Sequence, residues 1–550
     1  MRRPALLLAV TILTLGSPVA LFAAESPAPA QAAPTQAAPT RAAAPTQAAP
    51  TQAAPTPAAA PAEFGTDWDD PRTAAPPIAK PPTRSCAVTI VDHRFAGYDP
   101  YRSSYAPPAA CPGPWAKVVL RLDGAVKGRQ FDRLGALAIG DVTVFKTSTP
   151  EPSAEGIRWS VEKDLTGYAS LLRDPRPVTM WLGNTVDDTY TGVLDVQVSL
   201  TFYVADRRHP AEATATDVLA LGAPGRDGPD LTGTLTVPRN TERLLAEVYA
   251  TGSGGGCEEF WYLTAPGGYS CPADSPYREV QVLLDGRVAG IAAPYPHIYT
   301  GGWSNPFLWY VLAAPRAFDI RPLRYDLSPY LGLLTDGAPH RVSVRVVGVP
   351  AGQAGWDTPV SFLAWRDPGT TQVTGALLAH HVGESRNDVT TGDRTVTTRT
   401  VTTRTVTTHA GHSLDAAGYL RTSHGVLPTA LHQRVSNDSV HRWGADENPD
   451  ALTATWADES WSVVGTEVSH AADRYAIDGS ITVSPENRLT TTITVTDAGI
   501  GFEDTYRGEA SFTLGVPREQ RHAVGTSEER YRAGGETRVI RTRNGYVLPG

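Results

Sequence analysis

The run Asp195-Val196-Gln197-Val198-Ser199-Leu200-Thr201-Phe202-Tyr203-Val204 decides the fold. Val196, Val198, Leu200, Phe202 and Val204 share one face, and Asp195, Gln197, Ser199 and Thr201 share the other. That two-residue period is the signature of a half-buried strand. Residues 117–122 read the same way, with turns at Asp123-Gly124 and Gly140-Asp141. Between Trp115 and Val204 the apolar residues alternate and do not recur at helical spacing. Short strands punctuated by Gly and Pro predict an all-β sandwich or jelly roll. The grammar resumes after the Pro- and Gly-rich gap near residues 222–229. Residues 280–284, the turn Asp285-Gly286 and residues 287–291 predict a hairpin, and residues 341–347 a further strand. The reading is two jelly-roll or β-sandwich units, residues 83–214 and 215–348, facing one another across a cleft of the kind that holds ligands.

The flanks differ in character. Residues 1–24 read as a secretory signal, since Met1-Arg2-Arg3 is positively charged and an apolar run follows from Leu6 to Phe22. An uncleaved anchor is the alternative, and the run is marginal for a span of about 20 residues. No cysteine near the run offers a lipid attachment point. Residues 25–82, rich in Ala, Pro, Thr and Gln, lack the apolar side chains that offset the entropy of ordering and read as a disordered spacer. Residues 349–409 read as a linker containing a Thr-Val-Thr-Thr-Arg repeat from Thr395 to Thr408. Its odd period swaps faces at each repeat, so an exposed ribbon or loop is expected. Residues 410–550 read as a C-terminal β domain with strands near 475–483 and 489–496 and a frayed last thirty residues. The net charge of −9 comes without a basic cluster, which excludes a nucleic-acid footprint. An exported monomer, extracellular and without stable membrane association, is the expectation.

Four cysteines permit three pairings, and their spacing as two local pairs predicts Cys86–Cys111 and Cys257–Cys271. Zinc is disfavoured because no Cys-x-x-Cys pair exists. His380-His381 and His409/His412 have no acid at obvious ligand spacing. No metal and no cofactor are expected.

Gly252-Ser253-Gly254-Gly255-Gly256-Cys257-Glu258-Glu259-Phe260-Trp261-Tyr262 has the composition of a site: a permissive backbone running into paired acids among aromatics. A flexible loop feeding an ordinary strand is the plainer reading. In a strand Glu258 and Glu259 point oppositely, and periodicity does not choose between them. Tyr295, Tyr299, Trp303 and Trp309 offer flat faces that suit sugar rings, although such residues are more often core. Asp132 beside Arg133 is ordinarily a surface pair of little worth. Enclosed, the arginine could hold a developing oxyanion while the aspartate takes a hydroxyl or amide hydrogen.

Phe131-Asp132-Arg133, Thr147-Ser148-Thr149-Pro150-Glu151-Pro152 and Thr191-Gly192-Val193, followed by Gly256–Tyr262, Tyr277-Arg278-Glu279-Val280, Leu284-Asp285-Gly286, Ile298–Gly302 and Phe318-Asp319, resemble in order the peptide:N-glycosidase A family of acid amidases. The resemblance runs over about residues 86–347. Phe131-Asp132-Arg133 and Gly256–Phe260 also resemble blocks of the peptide:N-glycosidase F type, a pair of jelly rolls with the glycan core in their cleft. That resemblance implies catalytic roles for Asp132, Glu259 and Arg133, and favours Glu259 over Glu258. Substrate contacts are assigned to Glu258, Trp261, Tyr299, Trp303, Asp187 and Asp188. A further family acid is missing, since this chain reads Leu182-Gly183-Asn184; either Asp187 or Asp188 substitutes, or water is positioned differently. The implied activity is hydrolysis of the amide between Asn and the innermost N-acetylglucosamine of an N-glycosylated peptide or protein, giving Asp and a released glycan. Alternatives are a non-catalytic N-glycan-binding protein and an endo-acting glycoside hydrolase, which also uses two carboxylates.

Overall fold

The computed structural model describes residues 72–73, 78–152, 156–252, 257–299, 312–353, 355–396, 401–486, 488–497, 500–509, 524–533, 535–543 and 546–548. The signal segment, most of the spacer, Trp303 and Trp309 lie outside the described residues.

The protein is all-β. Its first unit packs a six-stranded sheet on a four-stranded one. The six-stranded sheet runs in the order Leu312–Ala313, Arg72–Thr73, Ile157–Asp164, Trp115–Val126, Leu194–Val204, Ser85–Phe95. The four-stranded sheet runs Tyr101–Tyr105, Arg176–Leu182, Leu134–Ile139, Val142–Ser148. Val196, Val198, Leu200 and Phe202 are buried, and they meet Leu137, Val144, Met180 and Leu182 of the other sheet in one core. Trp115–Val126 is apolar beyond simple alternation because it lies between Ile157–Asp164 and Leu194–Val204.

The second unit has a four-stranded sheet, Asp217–Ala220, Val360–Arg366, Thr241–Val248, Leu323–Asp326, and a five-stranded one, Gly222–Asp227, Asp230–Leu235, His340–Val347, Glu279–Leu284, Arg287–Ala292. The hairpin turn forms at Asp285-Gly286, both with positive φ (48° and 81°), the conformation a two-residue turn between right-twisted strands requires.

Three expected boundaries need correction. Arg72–Thr73, placed in the spacer by composition, pairs in parallel with Ile157–Asp164 and Leu312–Ala313. Residues 312–320, placed in the second unit, send Ala313, Ala317 and Phe318 into the first unit's core. Residues 349–409 are not a linker. Val360–Arg366 fills the middle of a second-unit sheet between Thr241–Val248 and Asp217–Ala220. Thr374–Val382 and Arg386–Val396 both pair with Val401–Thr422.

That last strand belongs to an eleven-stranded sheet that continues through Gly425–Trp443, Asp450–Val464, Glu467–Val483, Arg488–Asp497, Ile500–Glu509, Val524–Ala533, Glu536–Arg543 and Tyr546–Val547. The threonine repeat is a ribbon at its start, but Val406 and Thr408 are buried where it runs into the sheet. The final residues, expected to fray, instead form the paired strands Val524–Ala533 and Glu536–Arg543. Nor is the sheet a separate domain, because Leu414, Leu420, Leu431, Val435, Trp456 and Ile477 share one core with the second unit. Gln433 Oε1 accepts from Ile291 N (3.0 Å), and Arg316 makes a two-bond pair with Asp497 (2.7 and 2.7 Å).

Candidate active site

Between Trp115–Val126 and Leu134–Ile139 the chain turns through residues 127–133. Gly128 has φ +106°, and a Cβ there would sit 2.6 Å from Thr191 Oγ1, so only glycine lets the turn close on the neighbouring loop. Gln130, fully buried, holds the turn. Its Nε2 donates to Thr185 O (2.8 Å) and Gly192 O (3.1 Å), and its Oε1 accepts from Phe131 N (3.0 Å) and Arg133 Nη2 (2.6 Å). Arg133 is clamped to the end of Val142–Ser148 by two bonds, its N–H to Thr149 Oγ1 and Thr149 N–H to its carbonyl, both 2.9 Å. The clamp brings Asp132 and Glu151 to one place. Arg133 Nε is buried with no hydrogen-bond partner among the described residues, a donor left over for something else.

The second unit's contribution arrives by a different route. Lys146 Nζ, buried in the first unit, reaches across to Thr251 Oγ1 (2.7 Å) and Asp357 Oδ2 (2.6 Å), while Thr251 and Asp357 exchange backbone hydrogen bonds (3.1 and 3.0 Å). Tyr249 hydroxyl donates to Val144 O (2.9 Å), and Leu134 packs with Tyr249, Tyr299 and Ile320. Gly252 then passes so close to the next turn that a Cβ would lie 1.9 Å from Glu258 O.

Cys257–Leu263 is not the expected strand. It is two short 3₁₀ turns that meet at Phe260 (φ −113°, ψ 35°). Neighbouring side chains on such a turn are about a third of a revolution apart, so the two glutamates still diverge. Glu258 points inward and is fully buried. Arg278 grips it at 2.9 and 2.7 Å, and Trp356 Nε1 donates to it at 2.7 Å. Both oxygens are committed, so Glu258 braces the turn and has no face for a ligand. Trp261 is likewise core, packed among Trp356 and Trp456 with ring centroids 6.0 and 5.6 Å away. These two substrate-contact assignments are corrected: spacing could not foresee Arg278 and Trp356.

Glu259 is half-buried and near enough to Asp132 for its charge to act on it. Burial raises the Asp132 pKa well above the usual aspartate range, Glu259 and Glu151 push it further, and Arg133 offsets part of the rise. Tyr299 is raised by burial and then by Glu259 and Asp132, so its phenol lies within the electrostatic reach of both acids. Asp132, Glu259 and Tyr299 therefore converge from two units, with Arg133 at hand. His297 stacks on Tyr299 (5.4 Å, 4°), and burial first, then Arg316 and Lys146, pull its pKa down to about 3, so it stays neutral.

Glu151 was not singled out from sequence. It is 2 % exposed and follows Val142–Ser148, flanked by Pro150 and Pro152. A carboxyl fixed between two prolines was the available signal. Asp187 and Asp188 are both exposed, and Asp187 caps its own turn, accepting from Thr189 N and Tyr190 N at 2.7 Å each. Neither is among the charges that act most strongly on Asp132. At Gly183 a Cβ would meet the Trp181 and Tyr98 rings at 2.9 Å, so a side chain there would have to displace them. Both disulfides form, Cys86–Cys111 and Cys257–Cys271. One group of metal-ligand type occurs among the described residues, Glu242, Asp367 and His424. Asp367 already accepts from Ser423 N, Ser423 Oγ and Gly369 N, which reads as a capped turn.

A carboxyl with a raised pKa, a second carboxyl and a guanidinium brought together on an all-β scaffold are the groups that general acid–base hydrolysis calls for. The family model for peptide N-acetyl-beta-D-glucosaminyl asparaginase amidase A matches residues 74–361. Peptide-N4-(N-acetyl-beta-glucosaminyl)asparagine amidase A of Prunus dulcis is 31% identical over 406 residues, covering 68% of this chain and 69% of its own. The chain belongs to this amidase A family. The solved structure of PNGF-II aligns over 52% of this chain and 66% of that one, just short of two thirds, at TM-score 0.35 and 13% identity, a likeness too loose to carry an argument.

Proposed function

We propose that this chain is a secreted amidase that hydrolyses the bond between an asparagine side chain and the innermost N-acetylglucosamine of N-glycopeptides and N-glycoproteins, leaving Asp and releasing the glycan. The observation that carries the reading is the convergence of Asp132 and Glu259, one from each β unit, with Asp132 held protonated beyond the ordinary range. Two disulfides agree with an oxidising compartment.

The chemistry assigns each group a task. Glu259, ionised, takes a proton from water as the water oxygen attacks the amide carbon. Asp132 gives its proton to the departing nitrogen, the C–N bond breaks, and a glycosylamine leaves that later exchanges ammonia for water. Arg133 orients Asp132 and can donate its unpaired Nε–H to the oxygen that gains charge. Glu151, rather than Asp187 or Asp188, supplies the third carboxyl by opposing ionisation of Asp132. Solvent exchange then returns one proton to Asp132 and removes one from Glu259.

The test is the mass of the peptide after incubation with an N-glycopeptide. Conversion of glycosylated Asn to bare Asp is expected, with Glu259→Gln slower by about 100- to 10,000-fold. A sugar left on the peptide would mean cleavage between sugars, glycan binding without turnover would mean a lectin-like protein, and undiminished release by Glu259→Gln would remove Glu259 from its role.

A further inference from the structure

Among the described residues, Tyr98 and Trp181 stand apart from the other Phe, Tyr and Trp side chains in being 45 % and 41 % exposed. A lone exposed ring needs no explanation, but two beside one backbone position form a small apolar patch of the kind that can take a ligand. The two rings border Gly183, where a Cβ would come within 2.9 Å of each, so glycine leaves both rings their place beside the same backbone position. Trp181 is the register partner of Ala136, and Ala136 of Lys146, which places the three in one row on one face of the four-stranded sheet. Leu134 lies two residues from Ala136 on that same face, where it packs against Tyr249 and Tyr299 of the second unit. Trp181 therefore flanks the junction where the acids converge. The pair is also tied to the acidic turn. Tyr98 hydroxyl and Thr185 Oγ1 share a hydrogen bond (2.6 Å), Thr185 O accepts from Gln130 Nε2 (2.8 Å), and Gln130 Oε1 holds Arg133 (2.6 Å).

We propose that Tyr98 and Trp181 form a sugar-stacking shelf that takes a glycan ring beyond the innermost N-acetylglucosamine. Pyranose C–H bonds carry slight positive charge and pack against electron-rich aromatic surface, while the ring's hydroxyl rim stays in water. Two rings are too small for a stable protein interface, which buries about 800 Å² per partner, and match one sugar ring. The inference rests on the amidase reading for its substrate but is tested separately from it.

The experiment has two arms on the full chain. In the first, calorimetry compares binding of a free chitobiose-core oligosaccharide by the wild type and by Tyr98→Ala/Trp181→Ala, with Trp181→Phe as a variant that keeps aromatic surface. The double variant is expected to bind about tenfold more weakly and Trp181→Phe to bind better than the double variant. In the second, the ratio of kcat/KM for a glycopeptide with an extended glycan to that for one bearing a single N-acetylglucosamine is expected to fall about tenfold in the double variant. Equal binding by wild type and double variant, including no binding by either, overturns the shelf, as does an unchanged ratio. Absence of turnover by the wild type with either glycopeptide defeats the amidase reading instead, and the binding arm still decides the shelf.

Discussion

Asp132 holds its proton because burial disfavours the charge and two further carboxylates oppose it, with Arg133 offsetting only part. Its folded pKa is raised, so the protonated donor persists above the ordinary aspartate range and is lost as pH rises through the folded value. Activity should fall along that alkaline limb. Glu151→Gln removes one opposing charge, so Asp132 should ionise sooner and the limb of kcat/KM should move to lower pH. A pH profile of both proteins checks this; an unmoved limb would take Glu151 out of the proposed mechanism. At this scale the sequence was partly legible. Asp132, Arg133 and Glu259 stand in motifs short enough to read. Glu151 stands within a block that carries the family resemblance, residues 147–152, but nothing in that block gave it a role. Glu258 was misplaced because its partners, Arg278 and Trp356, lie 20 and 98 residues along the chain.

The turn Cys257–Leu263 carries Glu259 and is braced from three sides. Glu258 anchors it in the second unit's core, and Cys257–Cys271 closes the loop that follows. The underside rests on the eleven-stranded sheet: Tyr269 hydroxyl donates to Asp450 (2.8 Å) and Ser270 N to Glu447 (2.6 Å). Breaking a buried ion pair strands the remaining charge, so Arg278→Met should destabilise the protein by about 3–5 kcal/mol, read by denaturant unfolding. Replacing Cys257 and Cys271 together by Ala frees a loop of 14 residues' separation and should cost up to about 3 kcal/mol, with deglycosylation impaired because Glu259 loses its tether. Strands with a clean two-residue period, such as Leu194–Val204, were legible because burial on one face writes itself into the sequence. The 3₁₀ turn was not, because its shape comes from a distant arginine and a cross-link and leaves no period.

For the whole molecule, the C-terminal sheet acts as the back wall of the second unit. Its edges with that unit include a buried pair, His412 Nδ1 with Glu279 (2.9 and 3.0 Å), to which Tyr277 and Gln281 also donate. The hydrogen bond to Glu279 raises the His412 pKa against its burial. A raised histidine stabilises fully below its unfolded pKa and loses that contribution as pH rises through the folded value. The melting temperature should therefore decline over that range, and His412→Gln should flatten the decline while lowering stability on the acid side. The division into units was only coarsely legible. Val360–Arg366 crosses back into a second-unit sheet, and residues 312–320 into the first, because sheet pairing ignores distance along the chain while composition reports only neighbours.

The proposal stands on a charge in one β unit feeling a charge in the other. The carboxyl carbon of Asp132 can be followed by NMR in ¹³C-aspartate-labelled protein, with Asp132→Asn identifying the signal, in the wild type and in Glu259→Gln. Convergence requires a titration raised above the ordinary aspartate range that drops when Glu259 is neutralised. An Asp132 that titrates like an exposed aspartate, or one indifferent to Glu259, would place the two acids in separate environments and remove the basis of the mechanism.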